Sequence, residues 1–273
     1  MAGSSRVIGF IGGGNMAEAL IKGLLASGYK PKSICVSEPL AARRRVLKRR
    51  FGIEVSQSNG EVCAAADVLV LAVKPQIMAP VLEELASVVG GRTLVVSIAA
   101  GITLKRLEGG LGGKAKVVRV MPNTPCLLGR GASVLCGGRN TSKADVRLAK
   151  GLFETVGLAE VVEKERLLDA VTGLSGSGPA YVYLFAEALI DGGVRGGLDR
   201  KLATKLAYQT IAGAAEMMIE TGQEPEMLRM AVSSPGGTTL AGLAQLAKGR
   251  FVQTVVGGVR AATRRSKELG RVG

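Results

Sequence analysis

The fold class this sequence predicts is α/β: a domain with a mostly parallel sheet, followed by an all-α helical domain. Three observations predict it. Short apolar runs of strand length alternate with segments of helical periodicity from residue 7 to about residue 162. The strand signals stop near Arg166. Four or five helical segments bounded by glycine or proline then fill the rest of the chain. The boundary falls between Val162 and Arg166, giving domains over 1–164 and 165–273.

The first element is also the most informative. Val7 to Ile11 is an apolar run suited to a buried strand, Gly12-Gly13-Gly14 turns the chain sharply, and Asn15 to Ala26 continues at helical spacing. A strand, a glycine turn and a helix in that order make a Rossmann-type dinucleotide-binding start. Gly12 permits the tight turn and Gly14 lets a pyrophosphate approach the backbone. Ala17 stands where a third glycine often lets helix meet strand. Asn15 and Met16 open the helix, whose free N–H groups face the phosphates.

The elements that follow read in order. A strand at Ser33 to Ser37 precedes a helix from Leu40 to Phe51, then a short strand near Glu54-Val55 and a helix from Asn59 to Ala65. Asp67 to Val73 (DVLVLAV) is a strongly apolar strand; Pro75 suits the first turn after it, and Gln76 to Val89 reads as a helix. Thr93 to Ser97 and Lys116 to Met121 are strands around a short helix at Leu104 to Glu108. Ala132 to Cys136 and Ala159 to Val162 flank a helix at Lys143 to Glu154. Beyond the boundary, helices are expected at about 179–192, 199–220, 225–232, 239–248 and 251–269. They are rich in small residues, as in Ile211-Ala212-Gly213-Ala214-Ala215, so the domain has a thin core and is expected to pair with a second copy.

Composition narrows the function. Of 273 residues, 47% are apolar but only 3% aromatic, so the core is aliphatic. There is no histidine, and Cys35, Cys63, Cys126 and Cys136 lie far apart, so no metal site is expected. Reduced, buried cysteines, and a first strand that starts without a leading signal, give a soluble, cytoplasmic expectation. The longest apolar runs are too short to span a bilayer, so no membrane partner is expected. The net charge of +14 gathers in Arg43-Arg44-Arg45 with Lys48-Arg49-Arg50, and in Arg264-Arg265 with Lys267. Both groups sit in helical patterns without aromatic interleaving, which argues for solvated helix faces and anionic small molecules rather than nucleic acid.

Ligands of open α/β sheets bind beyond the carboxyl ends of the strands. The loops there are Ser37-Glu38-Pro39, Ala72-Val73-Lys74-Pro75, Ser97-Ile98-Ala99-Ala100-Gly101 and Met121-Pro122-Asn123-Thr124-Pro125. Small residues and prolines can lie flat against a nicotinamide and its ribose. Glu38 stands near the place of a ribose-binding acid, or points to solvent. Ser37, the arginines Arg43, Arg44 and Arg45, and Asn59 are candidates for a 2′-phosphate, which makes NADPH the expected cofactor with NADH possible.

Two further stretches lie in the helical domain. Thr172 to Tyr181 reads TGLSGSGPAY, and Ser233 to Thr239 reads SSPGGTT just before a helix. The second offers backbone N–H groups, hydroxyls and a helix N-terminus, a carboxylate site by its chemistry; an N-capped helix is the simpler reading.

These stretches, together with GFIGGGNMAEAL, AVKPQ, SIAAGI, RVMPNTP and DGGV, carry a resemblance to the pyrroline-5-carboxylate reductase family over essentially the whole chain. The resemblance implies reduction of the cyclic imine 1-pyrroline-5-carboxylate to L-proline with NAD(P)H. It also implies a helical part that interlocks in a homodimer, with dimers assembled into a larger ring such as a decamer. Ser234, Gly237, Thr238 and Thr239 would surround the substrate carboxylate and ring nitrogen, with Ser175 from the first stretch also at the substrate and Thr239 as the catalytic hydroxyl. Gly12, Gly13, Gly14, Asn15, Met16, Ser37, Arg43, Asn59, Ala72 to Pro75, Ala99, Ala100 and Asn123 would form the cofactor side. Some members of the family carry an acid near the substrate where this chain has Gly222.

The lack of histidine fits this chemistry, because a protonated imine is already electrophilic at carbon and needs orientation more than a strong acid. Two other readings compete. A β-hydroxyacid dehydrogenase resembles GxxGxGxxxK with an asparagine four residues on, but this chain has Val182 and Ala186 at those two positions. A non-catalytic NADPH-binding sensor would keep the glycine turn but would have no use for SSPGGTT.

Overall fold

The computed structural model of the protein describes residues 6–272. Eight strands, β1 (Ile8–Ile11), β2 (Ile34–Ser37), β3 (Glu54–Ser56), β4 (Val68–Leu71), β5 (Leu94–Ser97), β6 (Lys116–Met121), β7 (Gly131–Gly137) and β8 (Gly157–Val161), form one sheet in the order 3-2-1-4-5-6-7-8. The interleaved helices are α1 (Asn15–Ala26), α2 (Ala41–Phe51), α3 (Asn59–Ala65), α4 (Met78–Leu85), α5 (Leu104–Gly110) and α6 (Lys143–Glu154). All neighbouring strands are parallel except β7, which runs antiparallel to β6 and parallel to β8. The connection from β6 to β7 explains the reversal. Only nine residues separate them, too few for the helical crossover that a parallel neighbour requires, so the chain folds back.

Alternation along the strands sends side chains into two apolar layers. Ile8 and Phe10 of β1 and Val68 and Val70 of β4 join Leu20, Leu24, Leu47, Leu152 and Phe153 in one layer. Ile11, Leu69 and Leu71 join Val62, Leu82, Leu85 and Leu107 in the other. Every strand residue of β1 and β4 is buried, the continuous apolar pattern of a parallel sheet covered on both faces.

The chain divides into two compact units. The first runs to Ser177 and takes in the chain from Arg260 onwards; the second is 178–259. The domain division at 164/165 expected from the sequence lies upstream of that break, and its outermost residues, 1–5 and 273, lie outside the described residues. Between the two positions is a helical segment that periodicity did not reveal. It comprises α7 (Leu167–Val171) and a π turn at Thr172–Gly176, in which the Ser177 N–H donates to the Thr172 carbonyl at 2.8 Å. Leu168 of α7 is fully buried in the second apolar layer.

The second unit holds α8 (Gly178–Arg195), α9 (Arg200–Thr221), α10 (Pro225–Ala231), α11 (Thr238–Lys248) and the start of α12 (Phe251–Val272). α8 and α9 pack on each other, yet the buried cluster there is only Ile190, Ala203 and Ala207. Leu184 of α8, Ile219 of α9 and Val252 of α12 are 67%, 77% and 67% exposed, large apolar side chains left uncovered in the single chain.

A capping box starts α6. The Ser142 hydroxyl accepts from the Asp145 N–H, and the Asp145 carboxylate accepts from the Ser142 N–H at 2.9 Å. Lys116 of β6 also reaches Asp145, at 3.3 Å, so the cap ties the helix to the sheet. Burial acts to raise the Asp145 carboxyl, but the Ser142 hydroxyl and N–H bonds and the Lys116 charge outweigh it and hold it below its ordinary 3.8. A carboxyl depressed in the folded state contributes stability above its unfolded value and loses it as pH falls through the folded one. Asp145→Asn is therefore expected to lower the melting temperature at pH 7, by the equivalent of about 1 kcal/mol. Its difference from the natural protein should shrink as pH falls through and below the ordinary carboxylate range. A difference that does not change with pH in melting curves would remove Asp145 from this role.

Candidate functional site

The glycine turn after β1 is fixed by its neighbours. The Gly12 N–H donates to the Ser37 carbonyl at the end of β2 (2.8 Å), and the Ala72 N–H after β4 donates to the Ile11 carbonyl (2.9 Å). Gly12 has φ +95, a left-handed conformation, and a Cβ there would lie 2.8 Å from the Ala72 carbonyl oxygen. Gly14 caps α1 without a side-chain bond, and a Cβ on it would meet nothing within 4 Å. The open side of the turn therefore presents backbone and the unpaired N–H groups of Asn15, Met16 and Ala17, the seat a pyrophosphate requires. The residues present fit a dinucleotide.

Glu38 does not point to solvent, one of its two expected orientations. Its carboxylate is buried and accepts from the Gly13 N–H and the Leu40 N–H, each at 3.0 Å. Two backbone donors from the turn and from the entry to α2 hold it inward. Arg43 donates from Nε to the Gly13 carbonyl at 2.6 Å and pairs with Glu18, which also pairs with Arg50. Arg44 donates to the carbonyls of Glu38 and Pro39. The arginines are thus not equivalent: Arg43 and Arg44 brace the turn, while Arg45, Lys48 and Arg49 are exposed on α2. Ser37 and Asn59 are brought together, with the Ser37 hydroxyl donating to Asn59 Oδ1 at 2.7 Å and Asn59 Nδ2 donating to Glu84. The clamp formed by Glu18 was not foreseen, since an acid one turn into a helix carries no sequence signal of its distant partners.

Ala72 to Pro75 follow β4, and Ala99 and Ala100 follow β5, both at the carboxyl edge of the sheet next to the glycine turn. Asn123 lies just beyond β6, and both ends of its amide are engaged: Oδ1 accepts from the Ala132 N–H at 2.8 Å and Nδ2 donates to the Ser175 carbonyl at 3.1 Å. It joins this edge to the π turn, and so Asn123 and Ser175, expected on separate sides of the site, meet directly. The Ser175 hydroxyl donates to the Val171 carbonyl.

In the second unit, Ser234-Pro235-Gly236-Gly237 is a tight turn closed by the Gly237 N–H on the Ser234 carbonyl at 3.0 Å. Proline stands at its second position and Gly236 at φ +69 at its third. The turn delivers the chain to α11, whose N-cap is Gly237 with no side-chain bond. Thr239 is therefore inside the first turn of α11 rather than its cap. The backbone N–H groups of Thr238, Thr239 and Leu240 start the helix without intrahelical partners, and neither threonine hydroxyl is taken up by another described residue.

Residues 165–269 match the family model described as pyrroline-5-carboxylate reductase dimerisation, and residues 7–101 match that of NADP oxidoreductase, coenzyme F420-dependent. Over 268 residues the chain is 47% identical to a pyrroline-5-carboxylate reductase of Synechocystis, covering 97% of this chain and 98% of that protein. The chain belongs to the pyrroline-5-carboxylate reductase family. The Arabidopsis thaliana member is 44% identical, over 97% of this chain and 95% of its own. Among solved structures, the Coxiella burnetii reductase superposes with a TM-score of 0.93 at 39% identity, covering 97% and 99% of the two chains. The Plasmodium falciparum enzyme, described with NADP bound, gives 0.87 at 37%, covering 97% and 98%.

Thiol chemistry has no place in this family member's site. All four cysteines are free; burial, and then the charge of Glu54, push the Cys35 thiol up to about 11, and burial raises Cys63, Cys126 and Cys136 as well. Alkylation requires the thiolate. The folded protein is therefore expected to react slowly with iodoacetamide at pH 8, and the unfolded chain to take up four equivalents quickly. Fast labelling of the folded protein, read by mass spectrometry, would contradict this assignment.

Proposed function

We propose that this family member reduces 1-pyrroline-5-carboxylate to L-proline with NADPH, and accepts NADH less well. The observation that carries the reading is the pair formed by the glycine turn seated on β2 and β4 and the SSPGGTT turn opening α11. The first suits a dinucleotide pyrophosphate and the second a small carboxylate. The printed descriptions of the matched NADP oxidoreductase model and of the NADP-bound Plasmodium falciparum structure support the cofactor.

NADPH, when bound, supplies the hydride. The chain's own residues position and neutralise. Gly12, Gly13, Gly14, Asn15 and Met16 hold the pyrophosphate. Ser37, Arg43 and Asn59 take the 2′-phosphate side, supported by the direct Ser37–Asn59 bond. Ala72, Val73, Lys74, Pro75, Ala99 and Ala100 present small side chains and backbone to the nicotinamide half, and Asn123 braces their edge. Ser234, Gly237 and Thr238 hold the substrate carboxylate on the first turn of α11, with Ser175 on the substrate side. The Thr239 hydroxyl oxygen accepts from the N–H of the protonated imine and so orients that nitrogen, which shares a carbon with the carboxylate. The reaction asks for no titrating side chain, in keeping with a chain that has no histidine.

The family oligomerises through its dimerisation region, which spans residues 165–269 here. For this chain we take the assembly to be a homodimer joined further into a ring such as a decamer. The apolar side chains left exposed on α8, α9 and the start of α12 support the dimer. Among the described residues no helix is long and apolar enough to cross a membrane. We place the protein in the cytoplasm, a reading supported by four cysteines that form no disulfide. A β-hydroxyacid dehydrogenase gains no support, since Val182 and Ala186 of α8 offer no acid or base.

Following NADPH absorbance with 1-pyrroline-5-carboxylate, and L-proline as product, tests the reading. Turnover is expected for the natural protein; Thr239→Ala should lower it ~10- to 1,000-fold, as for the loss of one well-placed hydrogen-bonding group. NADPH binding should be nearly unchanged, and Thr239→Ser should retain most activity. NADPH binding without any turnover would point to a sensor instead. A fully active Thr239→Ala would move the orienting role elsewhere.

A further inference from the structure

In the first unit a cavity of about 300 Å³ is lined by Thr103, Arg119, Glu165, Arg166, Asp169, Lys267, Gly270 and Arg271. None of these residues belongs to the cofactor or substrate stretches above. Its floor is built. Arg119 of β6 is 5% exposed, and its guanidinium donates to Glu165 Oε1 at 2.7 Å. The same carboxylate oxygen accepts from the Leu104 N–H at the start of α5, also at 2.7 Å. Asp169 of α7 accepts from the Ser266 hydroxyl of α12 at 2.7 Å. Both carboxylates of the cavity therefore already have partners.

The cations do not. Arg166, Lys267 and Arg271 are exposed and make no ion pair among the described residues. Four cationic and two anionic side chains leave the lining at +2. Lys267 and Arg271 are four residues apart on α12, a spacing at which like charges repel. The acid between them, Glu268, is paired with Arg265 at 3.0 Å. The negative end of α12 accounts for cations in its own last turn, but not for Arg166 lining the same cavity from before α7. A concave site with excess positive charge, two exposed forked guanidiniums and a buried Arg119 already paired with Glu165 has the chemistry of an oxyanion receptor. Its volume is at the small end for metabolite pockets.

We propose that this cavity binds a phosphate group, either free or carried as the monoester of a small metabolite, through Arg166, Lys267 and Arg271. The bound anion would also tie the end of α12 to the loop between β5 and α5. That loop already touches α12, since a Cβ on Gly101 would lie 3.2 Å from the Leu269 Cβ and a Cβ on Gly270 would lie 3.5 Å from the Thr103 Cγ2. Ala99 and Ala100 belong to the same loop.

Calorimetry on the full-length protein tests this, with NADP⁺ present in excess so that the phosphate positions of the cofactor site are filled. Inorganic phosphate and glycerol 3-phosphate are titrated separately at constant ionic strength, with chloride as the control. One site per chain is expected. Tighter binding of glycerol 3-phosphate supports a monoester ligand, and equal or tighter binding of inorganic phosphate supports the free ion. Lys267→Gln and Arg166→Gln, made singly at exposed positions, should each weaken the binding about tenfold, as for loss of one charge-assisted contact. Their melting temperatures without phosphate should stay near that of the natural protein. No heat with either anion, or binding undiminished in both variants, would overturn the proposal.

Discussion

The fold of the first unit and the position of its site both depend on how tightly the glycine turn is held. One backbone bond joins Gly12 to the end of β2, another joins Ile11 to the chain after β4, and the buried Glu38 carboxylate holds Gly13. Two of these bonds come from the end of β2 and one from the chain after β4, the two neighbours of β1. The turn cannot shift without disturbing the register of three strands. A site whose donors are set by the sheet loses little conformational freedom on binding, which is the physical basis of preorganisation. The arginine side chains around it serve the same end: Arg43 reaches the Gly13 carbonyl and, through Glu18, is tied to α1.

The second unit is organised on the opposite principle. Its alanines and glycines let helices approach closely but bury little area, and its own buried cluster is three residues. Large apolar side chains such as Leu184 and Ile219 remain exposed in the single chain. Burial on this scale is worth roughly 25 cal/mol per Å² of apolar surface, so a partner subunit supplies stabilisation that the unit lacks by itself. The SSPGGTT stretch proposed to hold the substrate lies in this same unit, between α10 and α11.

Much of this was legible in the sequence, for identifiable reasons. DVLVLAV reads as a buried strand by its length and its β-branched residues, and GGG between an apolar run and helical periodicity reads as a turn that opens a helix. The SSPGGTT turn was readable because proline and glycine fix its geometry locally. What escaped depends on distant partners. The reversal of β7 is absent from its apolar pattern, because direction follows from the connection rather than the strand. Thr172–Gly176, with two glycines, carries no helical periodicity, yet it forms a π turn whose Ser175 carbonyl meets Asn123. Glu38 looks the same in sequence whether it faces solvent or Gly13. Its direction is set by two N–H groups, one of them 25 residues earlier in the chain.

Binding of NADPH and NADH to Gly12→Ala, measured by calorimetry with circular dichroism as a check on folding, is the most direct test of the central claim. Alanine there must adopt φ near +95 with its Cβ against the Ala72 carbonyl, at a strain of about 1–3 kcal/mol, or move the turn. The seat it disturbs is the one we propose for the pyrophosphate common to both cofactors. A folded variant that binds each of them at least about tenfold more weakly is the expected result. A folded variant that binds both as tightly as the natural protein would show that the cofactor does not rest on this turn.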